Sequence, residues 1–186
     1  FYDLTADQER MRIDTSGNVY IGTTSTGPAA SEAGHYFDKD GYAVHRRSAA
    51  PSLYLTRWTS TGQIAVFHYA ENVRGSISVD GSSTAYNTSS DYRLKENITD
   101  MTNATSRLKQ LKPKRFNWIS DETNTLEDGF LAHEVSTIVP KAVLGEKDAV
   151  DGDDNPIYQQ IDHSKLVPLL VKTIQELEAR LTAGGL

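Results

Sequence analysis

Near residue 90 the periodicity of this sequence changes, and that break limits the folds available more than any other feature. Before it, short alternating runs are separated by turn residues. Arg10-Met11-Arg12-Ile13 is followed by Asp14-Thr15-Ser16-Gly17-Asn18 and then Val19-Tyr20-Ile21. Ser52 to Trp58, Gln63 to Tyr69 and Gly75 to Val79 repeat the pattern. Thr, Tyr, Val and Ile at period two, bounded by Gly, Ser, Asn and Asp, read as β-strands in hairpins. The segments are short and thinly apolar, so residues 1–89 are a poor candidate for a private core. Neighbouring chains or upstream sequence are expected to complete them. The start at Phe1-Tyr2, without a methionine, reads as a piece of a longer chain.

After the break the pattern is mixed. Thr102 to Leu111 has modest helical character and stops at Lys112-Pro113, and Lys114 to Trp118 reads as a strand. Ser120 to Asp128 is a polar loop, and Gly129 to Val139 reads as a short helix ended by Pro140. Asp151-Gly152-Asp153-Asp154-Asn155 marks a hairpin tip. The last element is the clearest. Asp162 is a good N-cap, Pro168 sits where a missing N–H costs least, and Gly184-Gly185 ends the helix. Val167, Leu170, Ile174, Leu177 and Leu181 form an a/d seam over two heptads. It is too short to hold a coiled coil alone, so it either packs on its own domain or joins several chains. The fold class expected is therefore α+β.

Composition removes several chemistries. Without cysteine there is no disulfide framework, thiolate zinc site or thiol catalysis. A net charge of -6 disfavours nucleic acid and anionic membranes as partners, and no run of about 18 apolar residues could span a bilayer. His35, His45, His68 and His163 are scattered without ligand spacing, so no metal is expected. Asp148, Asp151, Asp153 and Asp154 lack the spacing and closing glutamate of an EF-hand, which favours a solvated hairpin tip. Phosphate-binding and dinucleotide fingerprints are missing, and no cofactor is expected. Tyr54, Trp58, Phe67 and Tyr69 read as the stacked interior of a stem, with a glycan-binding surface as the alternative.

The junction itself carries the reactive groups: Ser89-Ser90-Asp91-Tyr92-Arg93-Leu94-Lys95-Glu96-Asn97-Ile98. Serine and lysine can act as nucleophile and base without histidine. The base must be uncharged, and bringing an ordinary lysine from about 10.4 to near 7 costs roughly 4–5 kcal/mol. Five residues turn about 500° on a helix, which leaves Ser90 and Lys95 far from the same face. On a strand, an odd separation puts them on opposite faces. A working pair needs a bend between them, or a lysine from another chain. From chemistry alone, a solvated loop is the simpler reading.

The segment Ser90 to Ile98 closely resembles the signature that opens the intramolecular chaperone domain of phage tailspikes and tail fibres, the S74 peptidase family of endosialidase tailspikes. Leu111-Lys112-Pro113-Lys114-Arg115-Phe116-Asn117-Trp118 resembles its "L-x-P-x-x-F-x-W/Y" strand, and Gly129 to Val135 with Pro140 resembles its "GFIAQEV…P" helix. Asp162 to Leu177 is similar to its closing helix. Arg10 to Thr23 also resembles a stretch common in phage fibre shafts.

This resemblance implies a β-rich end of a trimeric fibre stem over residues 1–89 and a self-cleaving chaperone domain over 90–186. The closing helix would form a trimeric coiled coil. The domain would drive homotrimerisation of an upstream shaft in the host cytoplasm, then release itself and leave the stem in the virion. The implied scissile bond is Ser89–Ser90, with Ser90 as nucleophile and Lys95 as general base. Asp91 and Arg93 would orient that pair, hold the turn, or form a structural ion pair. Glu134 would brace the signature segment or be a helix-surface acid. His133 departs from the family's glutamine. The alternatives are a trimerisation tip that does not cleave and a receptor-binding fibre end recognising a host glycan.

Overall fold

The computed structural model describes residues 2–3, 8–26 and 32–185; the N-terminal Phe1 and parts of the expected stem lie outside the described residues. The chain divides into two compact units, residues 1–94 and 95–186.

The first unit is built of antiparallel strands. β1 (Tyr2–Asp3) pairs with β2 (Gln8–Glu9). β3 (Met11–Ile13), β4 (Val19–Ile21), β5 (Gly34–Phe37) and β6 (Ala43–Arg46) form a meander. The turn between β3 and β4 is tied by Asp14, whose carboxylate accepts from the Ser16 and Asn18 amides, the Asn18 side chain and the Tyr20 hydroxyl. These bonds, led by Asn18, hold the Asp14 carboxyl down at about 2. Period-two alternation sends Arg12, Tyr20 and Tyr36 to one face, where the two buried tyrosine rings lie 5.0 Å apart and the Arg12 guanidinium sits over the Tyr20 ring. The opposite face leaves Ile13, Ile21 and Phe37 exposed.

On that face His35 and His45 stand directly across the β5–β6 pair with their Nδ1 atoms 2.7 Å apart. The sequence reads these histidines as scattered; a hairpin joins them.

β7 (Gly62–Tyr69), β8 (Asn72–Val79) and β9 (Thr84–Thr88) form a second meander. Its only buried side chain among the described residues is Ser76. Ser52–Trp58, expected as a strand, is irregular. Its β-forming residues meet no strand to pair with among the described residues. The segment is exposed, and its Arg57 guanidinium bonds the Ser60 carbonyl, the Ser60 hydroxyl and the Gln63 carbonyl instead. Tyr54, Trp58, Phe67 and Tyr69 are exposed in the single chain and stack into no interior there.

The second unit mixes helices and strands, which makes the chain α+β. Its elements are α1 (Ala104–Leu108), β10 (Lys114–Phe116), β11 (Glu127–Gly129), α2 (Ala132–Ser136), β12 (Val143–Leu144), β13 (Gln160–Ile161) and α3 (Val167–Ala183). β10 pairs with β11 and β12 with β13, both antiparallel. The expected helix from Gly129 starts later, at Ala132, because Gly129 pairs with Lys114 in the β10–β11 ladder. The core is Ala104, Val135, Val139, Ala142, Leu166 and Leu169, with Met101, Leu108, Leu111, Phe130, Ile138, Val143 and Ile161 packed around it.

Helix α3 begins as its sequence demands. The Asp162 carboxylate accepts from the Ser164 amide at 3.0 Å, a 3-10 turn (His163–Leu166) follows, and Pro168 lies in the first turn of the α-helix. Gly184 donates to the Arg180 and Leu181 carbonyls and closes it.

Candidate functional site

β9 runs directly into the junction. The Ser89 amide donates to the Arg74 carbonyl at 3.2 Å and its hydroxyl to the Val73 carbonyl at 3.1 Å, so the residue before Ser90 is tied to β8. The β8–β9 approach is tight because a Cβ at Gly75 would lie 2.7 Å from the Asn87 carbonyl oxygen. A 3-10 turn (Tyr92–Leu94) follows, held by Asp91. The Asp91 carboxylate accepts from the Arg93 amide at 2.8 Å and takes the guanidinium in a fork at 2.9 and 2.7 Å. That pairing pushes the Arg93 pKa up. The ion pair therefore lies within the turn that stands between Ser90 and Lys95.

Ser90 and Lys95 are both exposed. The boundary between the two compact units falls between Leu94 and Lys95, so the two residues belong to different units.

In the second unit, the Arg115 guanidinium forks onto Asp128 at 2.7 and 2.9 Å across β10–β11 and lowers that carboxyl. Phe116 stands edge-on to Trp118 at 5.3 Å and packs over Gly129, where a Cβ would come within 3.1 Å of the ring. Glu134 faces the lysines that flank Pro113, Lys112 at 3.5 Å and Lys114 at 3.9 Å. It joins α2 to the start of β10.

Helix α3 carries two stripes. Leu166, Leu169 and Thr173 are buried, and Glu176 continues their 3-4-3 spacing. One residue out of phase, Val167, Leu170, Ile174, Leu177 and Leu181 are all exposed, between 41 and 63%. Of the two readings of the seam, packing on its own domain is overturned: the neighbouring stripe does that. The Glu176 carboxylate accepts from the Ala104 amide at 3.0 Å, the Thr105 amide at 2.8 Å and the Thr105 hydroxyl at 2.6 Å. It caps α1 from 71 residues away, where the local N-cap, Asn103, is left-handed and makes no side-chain cap bond. These bonds, led by the Thr105 hydroxyl, hold its carboxyl at about 2.

The sequence reading does not single out Glu176 for this cap, although the second stripe on α3 runs through it.

Among the described residues no group of three or more His, Asp or Glu side chains could hold a metal ion. Asp151, central to the acidic run, has its Oδ1 occupied by the backbone amides of Asp153 and Asn155. Among the described residues no helix is long and apolar enough to cross a membrane.

No curated protein matches the chain. The family model of peptidase family S74, described as chaperone of endosialidase, matches residues 90–144, beginning at the serine of the junction and ending with β12. Residues 90–144 thus carry a domain of the S74 chaperone-of-endosialidase family.

Proposed function

We propose that this chain assembles as a homotrimer through its C-terminal unit, and that this unit then separates itself from the β-rich stem by one cut between Ser89 and Ser90. The observation that carries the assembly is the exposed seam of α3. Five large aliphatic side chains at heptad spacing face solvent, while a separate stripe fastens the helix to its own core. A seam of two heptads needs other helices to cover it. The strands of residues 1–89 fit the same reading, because Phe67, Tyr69 and Tyr86 stay exposed in one chain. Three chains side by side would bury them in a fibre stem.

For the cut, Ser90 Oγ attacks the carbonyl carbon of Ser89 while Lys95 Nζ takes the hydroxyl proton. The attack proceeds as an N→O acyl shift or as a direct displacement; either way the C–N bond breaks, and the Ser90 nitrogen leaves as an amine with the proton that Lys95 Nζ returns to it. Water hydrolyses the resulting ester, which leaves a carboxylate on Ser89 and restores the Ser90 hydroxyl. Asp91 and Arg93 hold the intervening turn. Ser90 and Lys95 are both exposed in the single chain, which fits a reaction timed by assembly. Packing of three chains would bury the Lys95 amine and favour its uncharged form. Cleavage of refolding protein is then expected to start sooner at higher chain concentration. An onset independent of concentration would count against that timing. The trimer itself is tested by native mass spectrometry, where a monomer at micromolar concentration would overturn the reading.

A further inference from the structure

Away from the axis where the α3 seams meet, contacts between three copies about one axis are heterologous, so a patch on one copy meets a different patch on the next. The second unit carries two patches of opposite charge. Arg107, Lys109, Lys112, Lys114 and Arg115 fall within residues 107–115, which contain no acid. Glu146, Asp148, Asp151, Asp153 and Asp154 fall within 146–154, where Lys147 is the one base.

The chain neutralises each patch only in part. Arg115 is matched by Asp128, and Lys112 and Lys114 share Glu134. The Lys109 ammonium is exposed and has no partner among the described residues. On the other patch Lys147 pairs with Asp148, and Asp151 closes the turn. The Glu146, Asp153 and Asp154 carboxylates are exposed and have no partner among the described residues.

The groove and the tip each have a defined structure. Lys109 and Lys112 line an open groove of about 540 Å3 with Gln110, Glu134, Thr137 and Ile138. The acidic run is a narrow tip, closed by the Val150–Pro156 bridge and the Asp151–Asn155 backbone bond. A tip already fixed in shape loses little entropy on docking. With a net charge of -6 per chain, three copies repel one another at long range, and a basic groove offers a place where approach is favoured.

We propose that the acidic hairpin tip of one copy docks in the Lys109–Lys112 groove of the next and sets the register in which the α3 seams meet. This contact rests on the trimer reading above.

The test is a charge swap in the 186-residue chain, with trimer formation followed by native mass spectrometry and light scattering. Asp153→Lys/Asp154→Lys and Lys109→Glu/Lys112→Glu are each expected to slow assembly roughly tenfold, as interfacial charge reversals do. The chain carrying all four substitutions is expected to recover most of the loss. The advantage of the wild type over either swapped chain is also expected to shrink as salt rises from about 0.05 to about 0.5 M, because screening shortens the reach of the tip and groove charges while the net repulsion is screened in every chain. Swapped chains that assemble as fast as the wild type at every salt concentration, or four substitutions that compound instead of rescuing, would overturn the contact and leave the trimer standing. A wild-type monomer would remove the trimer reading and this contact with it.

Discussion

The carboxylate of Glu176 grips Thr105 twice, at the backbone amide (2.8 Å) and at the hydroxyl (2.6 Å), and so ties the closing helix to the first helix of its unit. The carboxyl is held at about 2, below the ordinary glutamate value of 4.5. A depressed folded value contributes stability that is fully present above 4.5 and lost as pH falls towards about 2. The denaturation midpoint of the wild type is therefore expected to drop across that window more steeply than that of Glu176→Gln. Denaturant titrations at a series of pH values check this; parallel curves for the two proteins would contradict it.

The two stripes of α3 are expected to respond differently to substitution. Leu169 is 2% exposed, and Leu169→Ala should destabilise the folded unit by about 2–5 kcal/mol through loss of packing. Ile174 is 63% exposed, so Ile174→Asp should leave the folding of the single chain unchanged and abolish the trimer. Chemical denaturation and native mass together separate these outcomes. A trimeric Ile174→Asp protein would contradict the role given to the seam.

Much of this architecture was legible because the relevant signals are local. The Asp162 cap, Pro168, Gly184 and the heptad spacing all lie within the helix they define, and each appears where the sequence places it. The hairpin tip at Asp151 is likewise written in its own five residues. What could not be read depends on partners distant in sequence. The cap from Glu176 to α1 spans 71 residues, and no pattern around Asn103 announces it. The meeting of His35 with His45 needs the β5–β6 register. Ser52–Trp58 has the composition of a strand, yet composition cannot supply the neighbour that a strand requires. Gly129 looked helical from its motif, but its ladder with Lys114 takes precedence.

Gly75 offers a way to disturb the junction without touching the S74 domain. A methyl group there would meet the Asn87 carbonyl oxygen at 2.7 Å and push β9 away from β8. Because Ser89 is fastened to Val73 and Arg74, Gly75→Ala is expected to alter the rate at which the 89–90 bond is cut. The time course on denaturing gels measures this. An unchanged rate would show that the tether is not needed for cleavage.

Lys95→Ala is expected to assemble as the wild type does and to remain uncut, because the substitution removes the proposed base and leaves the seam intact. Native mass gives the assembly and denaturing mass the covalent state. Cleavage at the wild-type rate would assign the base to another group.

The most direct measurement is the intact mass of the denatured wild-type chain beside that of Ser90→Ala. Self-cleavage at Ser89–Ser90 is expected to convert the 20.6 kDa wild type into two fragments of roughly half that mass, the second beginning at Ser90. Ser90→Ala should give a single full-length species. A wild-type trimer that stays uncut, or a Ser90→Ala chain cut at the same bond, would contradict the self-cleaving reading.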